Sequence, residues 1–261
     1  MKGASKMKNK HLILLVVVAL AGFLPQSKAN INLGSAGGFA VLGGSGVPNT
    51  GNTVLYGDLG VSPGTTITGF GPGIVNGTIY AGGSVADQAH ADASSAYSTL
   101  AGETGASDLS GQDLGSRTLT SGVYSFSSSA GLTGILILSG TGDFVFQIGS
   151  TLTTASSSSI VLINGAQAGN VFWQVGSSAT LGTGTSFNGS ILADTSITFN
   201  TGASMSGSAL ALNGAVTLDN NNITIPTAVP EAAAFWPVAF CASVFGGWQW
   251  LAVWRRKTGR S

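Results

Sequence analysis

A fifteen-residue stretch, Ala179 to Ala193, returns eighteen positions later as Ile197 to Ala211, and this repeat restricts the chain to architectures that stack one coil on the next. Thr180 falls on Thr198, Leu181 on Phe199, Thr183 on Thr201, Gly184 on Gly202, Ser186 on Ser204, Phe187 on Met205, Gly189 on Gly207 and Leu192 on Leu210. Large apolar positions meet large apolar ones. A third, partial copy follows in Ala215-Val216-Thr217-Leu218. A repeat of this length, with about three strand-sized runs parted by Gly or Asn, makes one triangular coil of a β-helix, joined to its neighbours by main-chain hydrogen bonds. The expected fold is therefore mainly β, a right-handed three-faced β-solenoid. A β-sandwich has no need of such an identity ladder.

Between Asn32 and Ile225 the chain is dominated by Gly, Ser, Thr, Ala and Asn, a composition shared with flexible linkers. Large apolar residues placed at short intervals, among them Phe39, Leu55, Phe126, Phe144, Phe172 and Phe199, argue for strands instead. Residues 84–102 break the pattern. Val85, Ala89, Ala93, Ala96, Tyr97 and Leu100 recur at helical spacing, Ser84 suits an N-cap, and Asp87 sits in the first turn, where its charge favours the helix dipole. The sequence predicts one long α-helix packed alongside the solenoid through its small Ala face. Residues 106–117 read as a capping excursion before the coils resume.

Both ends carry apolar elements. Residues 1–29 form a secretory signal: Lys2, Lys6, Lys8 and Lys10 precede an apolar run, and cleavage is expected between Ala29 and Asn30. The solenoid domain then spans 30–226 and a linker with a sorting motif spans 227–231. Residues 232–254 carry no charge over 23 positions, long enough for a transmembrane helix, and the basic tail 255–261 is expected to stay cytoplasmic. Val229-Pro230-Glu231 before that span resembles the PEP-CTERM sorting signal that exosortase-type enzymes remove in some Gram-negative bacteria. This copy has Ala232 where the pattern has a second proline. The expectation is an exported chain, extracellular or held at the cell surface, anchored in the membrane before any processing.

The formal net charge of zero conceals an acidic domain. Within 30–226 the single cation Arg117 faces nine carboxylates, a balance of −8. One cation cannot neutralise phosphates in number, which excludes nucleic acid as a partner. The lone cysteine, Cys241, falls in the apolar tail, so an exported domain must hold together without disulfides. Catalysis by a polysaccharide-degrading β-helix needs clustered acids, bases or metal ligands. Here the domain offers one histidine, His90, and carboxylates scattered at turns. An enzyme is not expected, nor any cofactor or metal.

Asn32 to Gly44, Val54 to Thr65, Ser121 to Phe126, Phe144 to Thr154, Val171 to Gly176 and Gly189 to Ala193 together resemble the microbial ice-binding family with a discontinuous β-solenoid. The resemblance covers residues 32–225. It implies a helix beside the coils, adsorption to an ice crystal surface through one flat face, and inhibition of ice growth or recrystallisation. A loose Thr-(Gly/Ala)-x-(Thr/Asn/Ser) pattern marks that face in the family, and here it selects Thr50 and Thr53, Thr154 and Ser157, Thr183 and Ser186, and Thr201 and Ser204, with a degraded copy at Thr68. Thr50 and Thr68 are 18 apart, as are Thr183 and Thr201, so one-coil stacking would align them as rungs. Threonine suits ice: a hydroxyl that donates and accepts stands beside a methyl on a stiff β-branched stem. The competing reading is a non-catalytic surface or matrix adhesin that binds polysaccharide, for which rows of exposed aromatic residues would be diagnostic.

Overall fold

Apolar residues two apart, bounded by Gly, Asn or Ser, give short strands that bury one face, and parallel stacking of such strands buries them all. The computed structural model describes residues 31–226. The cleavage pair Ala29–Asn30, the motif Val229-Pro230-Glu231, the apolar span 232–254 and the tail 255–261 lie outside the described residues. Among the described residues no helix is long and apolar enough to cross a membrane.

The strands form three parallel stacks. The threonine stack runs Thr66–Thr68, Gly46–Thr50, Val216–Asp219, Ile197–Phe199, Ala179–Leu181, Leu152–Thr154, Ala130–Leu132. The mixed stack runs Ile74–Asn76, Val54–Tyr56, Asn222–Thr224, Ser204–Ser206, Ser186–Asn188, Ser159–Ile163, and then the first half of Ile135–Ile148. The covered stack runs Ile79–Ala81, Asp58–Val61, Phe39–Gly43, Ala209–Ala211, Ser190–Ala193, Val171–Val175, and then the second half of Ile135–Ile148. Arg117–Phe126 pairs along both halves of Ile135–Ile148. Among the described residues the architecture is mainly β, parallel and coiled, with one α-helix, as the sequence predicts for the solenoid domain.

Chain order and coil order differ. Phe39–Gly43 pairs with Ala209–Ala211 near the end of the chain as well as with its neighbour Asp58–Val61. Val54–Tyr56 likewise pairs with Asn222–Thr224. The N-terminal coils thus close one end of the stack, and the chain crosses to the other end before winding back. The helix is that crossing: its 18 residues rise ~27 Å, about the height of five to six strand spacings.

Coil length also varies. Ala179 pairs with Ile197 and Ser186 with Ser204, the expected step of 18. In the N-terminal coils Gly46 pairs with Thr66 and Leu59 with Ile79, a step of 20. The spacing of 18 between Thr50 and Thr68 therefore does not align them; Thr68 pairs with Pro48. Leu152 meets Ala179 and Ser159 meets Ser186, a step of 27, with the surplus leaving the coil between Asn164 and Asn170.

The helix spans Ser84–Ala101, one residue short of the expected end. Gly83, not Ser84, is the N-cap, and no side chain caps the first turn; Ser84 is already helical. Val85 was expected on the packed face and is 46% exposed; Ala86 replaces it, because 86, 89, 93, 96 and 100 alternate steps of three and four. Asp87 lies in the first turn and accepts a 2.6 Å hydrogen bond from Ser62 Oγ. The Ala face covers outward Val123, Val145, Phe172, Leu192 and Leu210 of the covered stack. Gln147 Nε2 ties the helix end by donating to the carbonyls of Leu100 and Glu103, each at 2.8 Å.

Asp92 on this helix holds the short turn Gly34–Gly38, accepting from Ser35 N at 2.8 Å and Ser35 Oγ at 2.6 Å. These bonds, with one from Gln88, hold its carboxyl below the ordinary 3.8. A depressed folded value stabilises the fold above the unfolded value, and the benefit is lost as pH falls through the folded one. Asp92→Asn should lower the melting temperature at neutral pH, with the gap to the parent closing as acid protonates the parent's carboxylate below its ordinary range. A gap independent of pH would show that the carboxylate charge contributes nothing.

Inside the coils an aromatic column steps along the covered stack. Tyr124 and Phe146 stack at 5.4 Å, Phe146 and Trp173 at 3.8 Å and 7°, and Trp173 meets Phe187 at 5.1 Å. Register then continues the column through Ile191, Ala209, Val41 and Leu59. Alternation assigns the pair Phe172-Trp173 to opposite sides, Trp173 to the core and Phe172 to the helix.

Candidate functional site

The covered stack lies beneath the helix, which leaves two stacks facing outward. On the threonine stack the strands read apolar-Thr-apolar, so the middle residue must point out while its neighbours fill the core. Ala179-Thr180-Leu181, Ile197-Thr198-Phe199 and Val216-Thr217-Leu218 follow this rule, and in Leu152-Thr153-Thr154 a second threonine takes the inner place; all eight flanking residues are buried. Register pairs Thr153 with Thr180, Thr180 with Thr198 and Thr198 with Thr217. Four threonines thus form one column with about 4.8 Å between rungs. Gly131 precedes them at one end; Pro48 and Thr68 continue the column at the other.

A second column runs beside the first. Ser129, Thr151, Ser178, Ser196 and Ala215 sit two residues earlier on successive strands, linked through Ala130 N to Thr151 O at 2.9 Å, Leu152 N to Ser178 O at 3.1 Å and Ala179 N to Ser196 O at 2.9 Å. Thr151 Oγ1 donates to Ser129 Oγ at 2.8 Å, one rung to the next. Two parallel rows of short hydroxylated side chains on one continuous sheet make a flat surface. From Gly131 to Thr68 and from Ser129 to Thr66 neither row carries a charge, and Asp113, bridged to Gly131, stands just beyond the first. Arg117, the domain's cation, is elsewhere, with Nη2 donating to Gln112 at 2.6 Å and Nε to the Asp113 carbonyl at 2.7 Å.

The residues selected by the Thr-Gly-x-Ser pattern fall in four places. Thr50, Ser157, Thr183 and Thr201 occupy the corner between the threonine and mixed stacks. Gly184 at φ 66° and Gly202 at φ 72° turn that corner, with Ser157 at φ 58° and Asn220 at φ 53° doing the same in neighbouring coils. The left-handed region is costly for a residue with a Cβ, so glycine at this place in the repeat marks a turn and not a strand. Corner residues do stack: Ser157 N donates to Thr183 O at 2.8 Å and Gly184 N to Thr201 O at 3.1 Å. Ser186 and Ser204 are paired on the mixed stack. Thr68 lies on the threonine stack. Thr53 and Thr154 were expected to face outward and are buried, at 0% and 3% exposure. Each is an interior hydrogen-bonding group: Thr53 Oγ1 accepts from Asn221 N at 3.1 Å, and Thr154 Oγ1 accepts from Gly182 N at 2.9 Å and lies 2.8 Å from Thr185 Oγ1. Register gives the reason: Thr154 stands in line with the core residue Leu181, and Thr53 precedes Val54 as buried Ala203 precedes Ser204, so plain alternation sends both inward.

Thr153, Thr180, Thr198 and Thr217 were not selected from sequence. Their signal was in the repeat itself, where Thr180 already falls on Thr198 between core residues.

The mixed stack is less uniform. Its outer column reads Ile74, Val54, Asn222, Ser204, Ser186, Ser159 and Ile135, polar in the middle and apolar at both ends. Among the described residues no group of three or more His, Cys, Asp or Glu stands ready to hold a metal. His90 Nε2 lies 2.7 Å from the Leu212 carbonyl oxygen, a contact that docks the helix.

Comparison with known proteins agrees with this geometry. The model of the ice-binding-like family matches residues 41–224. An ice-binding protein of Nostoc sp. (strain HG1) is 58% identical over 226 residues, 84% of this chain and 84% of that protein. The crystal structure of an ice binding protein from an Antarctic biological consortium superposes with a TM-score of 0.74 at 45% identity, covering 78% of this chain and 95% of that one. The ice-binding protein of the Antarctic ascomycete Antarctomyces psychrotrophicus gives 0.74 at 42% identity, covering 77% of this chain and 100% of that one. With the family's sequence pattern along its length and the family's solenoid in its coils, the chain belongs to the ice-binding-like family.

Proposed function

We propose that this chain binds ice through the threonine face and thereby inhibits ice growth or recrystallisation, with no catalytic step. The observation that carries the reading is the column Thr153-Thr180-Thr198-Thr217, set in register on a flat parallel sheet without a charged neighbour in its two rows. Each hydroxyl contact with a lattice is weak. A rigid array loses little further entropy on adsorption, because its side chains are ordered when the sheet folds. Ions would retain their own hydration shells, and the two rows contain none.

The reading extends to winding and location. Parallel crossover connections are almost always right-handed, which supports a right-handed coil. The signal at residues 1–29 and the apolar segment 232–254 support export, with anchoring through the tail until an exosortase-type enzyme acts at Val229-Pro230-Glu231. Polysaccharide binding is disfavoured by the surface: of the large apolar side chains exposed among the described residues, one is aromatic, Tyr56.

The test is thermal hysteresis and ice-recrystallisation inhibition by purified residues 30–226. Shaped crystals and arrested recrystallisation are expected. A folded protein that leaves ice growth unchanged would overturn the reading and move the solenoid to the polysaccharide-binding class.

A further inference from the structure

We infer that Pro48 ends the working length of the threonine face, so that ice is contacted by the rungs Thr153 to Thr217 while Thr68 stands outside the ladder. The inference rests on the ice-binding reading of that face.

Register places Pro48 in the threonine column. Asn49 pairs with Leu218 and Thr50 with Asp219, which sets Pro48 opposite Thr217; on its other side Pro48 pairs with Thr68. Pro48 is exposed, and its ring offers ice no hydroxyl. It also lacks an N–H for the sheet. Between Gly46–Thr50 and Val216–Asp219 the ladder is formed at Asn49, at Thr50 and through a bridge from Gly46 to Ala215, with Val47 and Pro48 left unbridged.

The second column stops one rung earlier, at the level of Thr217, and is still interrupted at the level of Pro48. Its hydroxyls at Ser129, Thr151, Ser178 and Ser196 give way to Ala215 and then Gly46, and a hydroxyl returns only at Thr66. Both rows therefore lose hydrogen-bonding capacity across the strand Gly46–Thr50. Thr66 and Thr68 lie beyond the gap on a strand with a neighbour on one side only, and Thr68 stands two strand spacings, roughly 9.6 Å, from Thr217. A hydroxyl row broken in both columns presents two patches, and the longer one contains the continuous rungs.

The substitution Pro48→Thr would join Thr217 to Thr68 and lengthen the column to six consecutive threonines, from Thr153 to Thr68. Threonine also restores an N–H in a residue suited to strands. The control is Pro48→Val, which restores the N–H and the β-branched shape without the hydroxyl. Recrystallisation endpoints would be measured for the parent, both variants, Thr217→Ala, Thr68→Ala and the double variant Pro48→Thr/Thr68→Ala, with circular dichroism melts for each. We expect Pro48→Thr to reach the endpoint at about half the parent concentration, Pro48→Val to match the parent, and Thr217→Ala to need several-fold more protein. Thr68→Ala should be silent in the parent and should cancel the gain in Pro48→Thr. The inference is overturned if Pro48→Thr, folded, does no better than Pro48→Val, or if Thr68→Ala weakens the parent as much as Thr217→Ala. The Thr68→Ala comparison decides the matter even if Pro48→Thr fails to fold. A parent inactive on ice removes the ice-binding reading itself, and this inference with it.

Discussion

A chain carrying Thr180→Tyr and Thr198→Tyr is expected to fold as the parent does and to lose at least about tenfold of its activity on ice. Both threonines point outward from strands whose flanking residues fill the core, so the substitutions leave the interior untouched. Outward changes of this kind usually alter stability within about 0.5 kcal/mol. A tyrosine standing several ångströms above neighbouring threonines holds a flat lattice beyond van der Waals reach of the remaining rungs, and dispersion contacts fade within an ångström. The matched control is Ser186→Tyr with Ser204→Tyr, also paired one coil apart, on the mixed stack. Recrystallisation endpoints and melting curves on both should show activity lost in the first and kept in the second. The reverse pattern would move the ice contact to the mixed stack.

Trp173→Ala is expected to cost about 3–5 kcal/mol, enough to unfold a large share of molecules in a domain whose total stability is of the usual 5–15 kcal/mol. Trp173 is fully buried, stacks on Phe146 at 3.8 Å, touches Phe187 at 5.1 Å, and donates from Nε1 to the Asn188 carbonyl at 3.1 Å. Removing it opens a cavity between two coils and leaves that carbonyl without its indole partner. Trp173→Phe keeps the stack and loses the donor, so its cost should be markedly smaller. Denaturant unfolding followed by circular dichroism measures both. Equal costs for the two variants would mean that the hydrogen bond, not the ring, carries the stabilisation.

Much of the fold could be read from residue pattern. The 18-residue identity between Ala179–Ala193 and Ile197–Ala211 is a coil length, and the registers Ala179 to Ile197 and Ser186 to Ser204 reproduce it. The helix was legible because its small residues recur at steps of three and four, although the choice between Val85 and Ala86 turned on which face met the sheet. The site was harder. Thr183-Gly184 and Thr201-Gly202 look like strand motifs in one dimension, yet glycine there adopts positive φ and bends the chain at a corner. Thr53 and Thr154 fit the same motif but out of register with the coil, so ordinary alternation, with Leu55 and Leu152 two residues away in the core, sends both hydroxyls inward. The plainer signal, a threonine between two core residues repeated in Thr180, Thr198 and Thr217, required no knowledge of the corners.

What the sequence by itself determined is local and periodic: strands, turns, one amphipathic helix, a coil repeat and an outward surface poor in charge. The spacings of two and of 3.6 are fixed by bond geometry within a few residues, and the spacing of 18 is legible because two adjacent coils repeat it. Tertiary structure decided which strands that are distant in the chain become neighbours. Phe39–Gly43 pairs with Ala209–Ala211 because the helix carries the chain to the far end, and Pro48 enters the threonine column because its strand pairs with Val216–Asp219. Such pairings depend on closing long loops against a shared core, a balance of burial and chain entropy that no short window of residues contains.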